Sequence, residues 1–368
     1  MKCSLKNLIT VIAAGAAVLS FSLWGIFGTK HDFSESERRV LADFPEVSTK
    51  TIFSGKFMSD FENYALDQFP MRDVFRGVKS ASVLGIFRQL ETNELYIQNG
   101  YITKSEKEIS DKMLTHAADK FQYIYDNFLE DTNVNIYFSI VPDKHYFLSK
   151  ENNRLAPDYD SLVSEMRNKT EYMKYIDIFP LLSIEDYYRT DTHWKQESIT
   201  DVAAAIASEM GITLDAEYET LAVEQPFYGV YYGQLALPVK PDRLNYLNNP
   251  IFEECTVTSY NTGLPEKKSV YDTEKAQGRD PYEMFLCGAD ALITIENPNA
   301  ETDRELVVFR DSFGSSLVPL FIEGYSKITL VDIRYMQSSA IGSFVEFSNQ
   351  DVLFLYSTLI LNNSLALK

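Results

Sequence analysis

Glu305-Leu306-Val307-Val308-Phe309-Arg310-Asp311-Ser312-Phe313-Gly314 passes from strand-forming residues into a polar turn without a break. Leu306 to Phe309 are all apolar, with two valines and a phenylalanine, so Glu305 to Phe309 read as a strand. Ser315 to Glu323 reads as a short helix, and Lys327 to Ile333 and Val352 to Tyr356 as two further strands. Strand, helix, strand with short links is the connectivity of a parallel sheet, so the fold class expected is α/β, a parallel sheet flanked by helices. Ser312 falls where strand hands over to helix. In open α/β sheets ligands bind at that end of the strands, and the free N–H groups of a helix start can stabilise an oxyanion there. Gly314 would let the backbone approach a substrate closely. A plainer reading stands beside this one, because Asp311, Ser312, Ser315 and Ser316 are all good helix N-caps.

Upstream lies Asp191-Thr192-His193-Trp194. The chain has four histidines, His31, His116, His145 and His193. In an extended segment Asp191 and His193 point to the same side, so the acid can orient the imidazole. The other ring nitrogen is then left to take a proton from a serine. Acid, histidine and Ser312 supply the three roles of a nucleophilic hydroxyl catalyst, and such triads occur in every chain order. A half-buried histidine stacked near Trp194 is the structural alternative. A metal reading of Asp191 and His193 needs a third ligand, and no zinc-type Cys/His spacing is present; no metal or cofactor is expected.

The rest of the chain frames these two strings. Leu95 to Ile102 reads as a hairpin about Asn99-Gly100, since both central residues of a type I′ turn need positive φ. Ser105 with Glu108 has the pattern of a capping box opening a helix whose face is Met113, Ala117, Phe121, Ile124 and Phe128. Val134 to Val141 and Tyr175 to Ile178 read as strands. Ile199, Val202, Ala203, Ile206 and Met210 mark a helix after the His193 string. Residues 30–94 read as a charged, turn-prone lead-in or stalk with helical spacing from Thr51 to Arg88. The stretch from about 215 to 302, inside a domain over 95–368, reads as an irregular insertion or lid.

Lys2 and Lys6 precede an uncharged run, Leu8 to Phe27. Twenty helical residues rising ~1.5 Å each span ~30 Å, the thickness of a bilayer core. Residues 1–29 are expected to be a transmembrane anchor. The apolar run continues past the small residues Ala13 to Ala17, which suits an anchor better than a cleaved signal peptide. In either case the chain beyond Lys30 is expected outside, on the extracytoplasmic face or secreted. Cys255 and Cys287 then fall in an oxidising compartment, where they form one disulfide or stay as two free thiols. The net charge of −19 argues against nucleic acid as a partner.

Tyr187-Tyr188-Arg189-Thr190-Asp191-Thr192-His193-Trp194 and Phe309-Arg310-Asp311-Ser312-Phe313 resemble the DHHW family and its relatives, the alginate O-acetyltransferases AlgJ and AlgX. Phe33-Ser34-Glu35, Asp67 to Asp73, Val141-Pro142-Asp143-Lys144 and Val331 to Tyr335 extend the likeness from about residue 33 to the C-terminus. The resemblance implies an SGNH-hydrolase-like domain with the serine block moved late in the chain. It implies Ser312 as nucleophile, with His193 and Asp191 completing a triad. It further implies an acyl group passed through Ser312 to a hydroxyl of a surface polysaccharide, as in an O-acetyltransferase; the residues themselves equally suit an acetylesterase, in which water takes the acyl group. A multi-spanning membrane acyltransferase would supply that group, because acetyl-CoA is absent outside the cell. The chain departs from the family where Thr192 replaces the first histidine, as in the acetyltransferases, where Lys195 follows the tryptophan, and where Arg310 precedes Asp311. Arg334 and Tyr335 are candidates for oxyanion or substrate contacts, with core packing the alternative for Tyr335, and Tyr228, Tyr231 and Tyr232 for stacking on sugar, with packing of the turn the alternative. The contrasting expectation is a non-catalytic glycan-binding or export-complex module on the same fold.

Overall fold

The computed structural model describes residues 5–152 and 154–368, so Lys2 and Cys3 lie outside the described residues. The chain forms two compact units, Met1–Asn93 with Tyr232–Pro238, and Glu94–Tyr231 with Val239–Lys368.

The larger unit is built on one mixed sheet. Its strands are β1 (Asn135–Val141), β2 (Lys174–Tyr175), β3 (Thr256–Ser259), β4 (Glu266–Lys268), β5 (Leu292–Glu296), β6 (Glu305–Arg310), β7 (Lys327–Val331) and β8 (Asp351–Ser357). They lie in the order β4-β3-β5-β7-β6-β8-β1-β2. Strands β7, β6, β8, β1 and β2 are mutually parallel. Strands β5, β3 and β4 join antiparallel.

Alternation along the strands explains why helices cover both faces. Leu306, Val308, Leu353 and Leu355 pack on one side with Trp194, Val202, Ile206 and Leu317. Val307, Phe309, Val352, Phe354 and Tyr356 pack on the other with Phe121, Leu162, Met166 and Ile341. Successive side chains point to opposite faces, so a strand apolar at every position must be sandwiched. The helix Thr200–Glu209 supplies the first layer, and Asp111–Ile124 and Tyr159–Lys169 the second.

Two local expectations are changed. The cap of the helix Asp111–Ile124 is Ser110, whose hydroxyl accepts from the Met113 N–H. The Ser105 pattern lies too early because residues 105–110 precede the helix and belong to no helix or strand. The stretch 215–302 is not one irregular insertion. Glu219–Phe227 pairs with Asp242–Asn248 as a ribbon, and β3, β4 and β5 extend the main sheet. β3 is Thr-Val-Thr-Ser, with one apolar residue, so its period is too weak to read from sequence. Cys255 and Cys287 are free thiols, and burial pushes both up to about 11. Asn99 and Gly100 do have positive φ, in the hairpin Leu95–Gln98 with Tyr101–Lys104.

The smaller unit holds the apolar helix Leu5–Phe27, 23 residues, long and apolar enough to cross a membrane. After it come the strand pair Phe33–Ser34 with Arg39–Val40 and the helices Thr49–Phe53, Lys56–Asp67 and Arg72–Ala81. Arg39 grips Asp67 through two nitrogens at 2.9 and 2.6 Å, which holds the carboxyl below its usual range.

Candidate active site

Ser312 stands two residues beyond β6, in the turn before the short helix Gly314–Leu317. The turn is pinned from below. Asp311 accepts the Phe313 N–H at 3.0 Å and the Ser357 N–H at 2.8 Å, so one carboxylate ties the ends of β6 and β8. Gly314 N–H donates back to the Asp311 carbonyl at 3.1 Å. A Cβ on Gly314 would lie 2.8 Å from the Arg310 Cβ, so the glycine here serves close packing of helix start on its own strand.

His193 arrives from a different part of the chain and meets Ser312. Its Nε2 is 2.7 Å from the Ser312 Oγ, and its Nδ1 is 2.6 Å from the Asp191 Oδ1. Asp191 and His193 are buried, and Ser312 is partly exposed. With Nδ1–H donating to the carboxylate, Nε2 keeps its lone pair facing the serine hydroxyl. The Asp191 carboxylate also accepts the His193 N–H at 3.1 Å and the Val230 N–H at 2.9 Å.

A dense set of bonds holds this loop. Asp242 accepts the N–H groups of Arg189 and Thr190 and the Thr190 hydroxyl, at 2.8, 2.7 and 2.6 Å. Gly229 passes so close that a Cβ would sit 2.2 Å from the Asp191 Cβ, so no other residue fits there without displacing the acid. Lys144, at the carboxyl end of β1, is fully buried and donates to the carbonyls of Tyr188 and Arg189 at 3.0 and 3.3 Å. Burial lowers its pKa to about 7, against the opposing pull of Asp191, Asp242 and Asp143.

The imidazole lies flat on Tyr282, with ring centroids 3.8 Å apart and an interplanar angle of 4°, and Phe313 meets it edge-on. The Tyr282 hydroxyl is 2.8 Å from the Ser316 Oγ, which also accepts the Trp194 indole N–H at 2.9 Å. Trp194 thus braces the segment from behind rather than stacking on His193. His145 is a satisfied core histidine, 2.7 Å from the Tyr96 hydroxyl.

Other sequence candidates fall elsewhere. Arg334 directs Nε and Nη2 to Asp332, the latter at 2.6 Å, and lies over the half-exposed Tyr335 ring. Among the described residues neither is hydrogen-bonded to Ser312 or His193. Tyr231 is buried, its hydroxyl donating to Thr192 and its ring beneath Lys144. It therefore presents no open face to a sugar. Tyr228 is 40% exposed, and Tyr232 belongs to the smaller unit. Sequence reading missed Tyr282, Gly229 and the function of Lys144, whose contacts with the loop are all long-range.

Residues 167–331 match the DHHW protein family. That span contains Asp191, His193, Tyr282 and Ser312. A DHHW family protein from Eubacterium siraeum DSM 15702 shares the fold, with a TM-score of 0.58 and 22% identity over 74% of this chain and 93% of that one. Bacillus cereus PatB1, solved with a sulfonyl adduct, superposes with a TM-score of 0.57 and 18% identity over 73% of this chain and 95% of that one. The O-acetyltransferase domain of Pseudomonas putida AlgJ matches more loosely, with a TM-score of 0.42 and 12% identity over 73% and 92% of the two chains. No curated protein matches the sequence. The α/β fold of these two solved proteins, the Eubacterium siraeum DHHW family protein and PatB1, is thus the fold of this chain.

Proposed function

We propose that this protein is a serine-dependent O-acyltransferase that acts on a surface polysaccharide outside the cell, with Ser312, His193 and Asp191 as its triad. The single observation that carries the reading is the unbroken hydrogen-bond chain from Asp191 through His193 to a partly exposed Ser312. The DHHW match and the motif likeness to the alginate O-acetyltransferases support the substrate class. The apolar helix Leu5–Phe27 supports an anchored enzyme facing outward.

The chemistry rests on this geometry. Ser312 Oγ attacks the acyl carbonyl while His193 Nε2 takes its proton. The tetrahedral intermediate collapses, the C–O bond to the donor alcohol breaks, and His193 returns the proton to that alcohol. An acyl-Ser312 ester remains. A sugar hydroxyl then gives its proton to His193, attacks the ester, and leaves as the O-acyl sugar while Ser312 regains its proton. Asp191 fixes the tautomer and stabilises the imidazolium. The flat contact with Tyr282 holds the ring in plane and leaves the in-plane hydrogen bonds of both nitrogens undisturbed. The donor in this scheme is an acylated group presented by a membrane acyltransferase.

The test uses the full chain in detergent with an activated acetyl ester and a sulfonyl fluoride. The parent is expected to turn over the ester and to be sulfonylated at Ser312, losing activity in proportion. A Ser312→Ala variant that is as active as the parent sinks the assignment. A folded parent that neither turns over nor labels is the behaviour of a glycan-binding module instead.

A further inference from the structure

The helix Arg72–Ala81 is turned the wrong way round for a helix in water. At 100° per residue, Val74, Phe75, Val78 and Ala81 occupy one sector, and Arg72, Arg76 and Ser80 the opposite one. The arginine side faces the protein. Arg72 meets Glu37 at 2.5 Å, and Arg76 donates to the carbonyls of Gly233 and Gln234 at 2.8 and 3.0 Å. Ser80 is buried, whereas Val74, Phe75 and Val78 are 55%, 44% and 57% exposed. A soluble helix buries its apolar stripe and shows its charges, so this polarity calls for an apolar medium outside.

The same unit identifies that medium. Phe21 of the apolar helix Leu5–Phe27 stacks on Phe69 at 5.7 Å and meets Phe75 edge-on at 5.8 Å. Phe75 therefore joins the outward face of Arg72–Ala81 to the side of a helix long enough to cross a bilayer. Phe21 lies six residues before Phe27, about 9 Å along the axis at a helical rise of ~1.5 Å. Interfacial helices sink their apolar faces roughly 5–10 Å into the boundary between headgroups and chains. The contact sits at that depth.

We infer that the outward face of Arg72–Ala81 lies in the lipid interface beside the anchor, as an in-plane helix that sets the smaller unit against the membrane surface. The inference rests on Leu5–Phe27 being the membrane span. The occupant is lipid, because the face is continuous with the lipid-facing side of that span, while Arg72 and Arg76 pair within the protein and the exposed Lys79 and Asp73, which flank the two faces, bond to Asn93 and Arg76.

The experiment places a nitroxide label at Val74→Cys or Val78→Cys in the full chain, in a background of Cys3→Ser, Cys255→Ser and Cys287→Ala. The protein is reconstituted in vesicles of phosphatidylcholine and phosphatidylglycerol. Collision with oxygen is compared with collision with a water-soluble nickel chelate. Val18→Cys reports on the anchor and the exposed Asp119→Cys on water. Positions 74 and 78 are expected to show an oxygen-to-nickel ratio several times that of Asp119→Cys. Nickel access at 74 and 78 with Val18→Cys still in lipid overturns the inference alone. Nickel access at Val18→Cys as well overturns the anchor reading and the inference with it. Poor access to both reagents at 74 and 78 means that protein covers the face, which also overturns the assignment to lipid.

Discussion

The two sides of the central sheet are both apolar inside, yet they differ at their ends. Where β1, β6, β7 and β8 finish, the chain buries Asp143, Lys144, Arg310, Asp311 and Asp332. Where β3, β4 and β5 finish, it shows neutral Ser259 or the exposed Lys268 and Glu296. Direction accounts for the contrast. Parallel strands bring all their carboxyl ends to one edge, where each following loop or helix start offers unpaired N–H groups. Antiparallel strands send alternate ends to opposite edges, and nothing accumulates. The bonds that fix Ser312 illustrate this, since Asp311 reaches from β6 to the Ser357 N–H at the same edge. Chemistry is thus expected on the parallel side and only scaffolding on the other.

Substitutions probe that contrast in falling order of effect. Ser312→Ala is expected to lower turnover of an activated ester by about 10³-fold or more while the protein stays folded. Circular dichroism alongside kinetics checks both halves of that statement. Asp191→Asn is expected to lower kcat by about 10²–10⁴-fold, since an amide favours the wrong imidazole tautomer. A variant with a normal kcat contradicts the orientation of His193 drawn from the 2.6 Å contact.

Gly229→Ala forces a Cβ into the Asp191 side chain and is expected to cost about 1–3 kcal/mol of stability, with a drop in kcat. Its thermal midpoint and its rate should fall together. If only the midpoint falls, the acid is held by something other than this close approach.

Lys144 gives a pH signature. Its folded pKa, about 7, lies below the ~10.4 expected when unfolded. Between these values the unfolded chain binds more protons, so stability from this residue rises with pH across the window and is flat below it. Lys144→Met removes that slope. Unfolding midpoints of parent and variant, compared from pH 6 to about 10, should diverge in the parent's favour as pH rises. Parallel curves contradict a neutralisable buried lysine. At the low end of the scale, Thr258→Ala in β3 should shift stability by no more than about 0.5 kcal/mol and leave turnover unchanged. A large loss of activity there would remove the distinction between the two sides.

The parallel side was also the legible side. Apolar runs such as Leu306 to Phe309 and Val352 to Tyr356 announce strands, and the structure buries both of their faces. The polar turns after them announce the edge where Ser312 sits. The added antiparallel strands were opaque because Thr256–Ser259 and Glu266–Lys268 carry almost no apolar period, and their pairing is set by distant partners. Within the site, the Asp191–His193 spacing was readable because it is local. Tyr282 was not, because no local pattern tells a tyrosine that stacks on a histidine from one that fills a core. Tyr231 could be read either as a sugar platform or as packing of its turn, and it is a packed wall in the structure. Gly229 shows the same limit, since its need for no side chain depends on where Asp191 lies.

Mass spectrometry of the full chain, quenched in acid shortly after mixing with an activated acetyl donor, tests the acyl-serine mechanism most directly. The acetyl group is expected on the peptide that carries Ser312, to vanish in Ser312→Ala, and to form far more slowly in His193→Ala. Acetyl found on other peptides at equal level in parent and Ser312→Ala, with turnover intact in both, would contradict it.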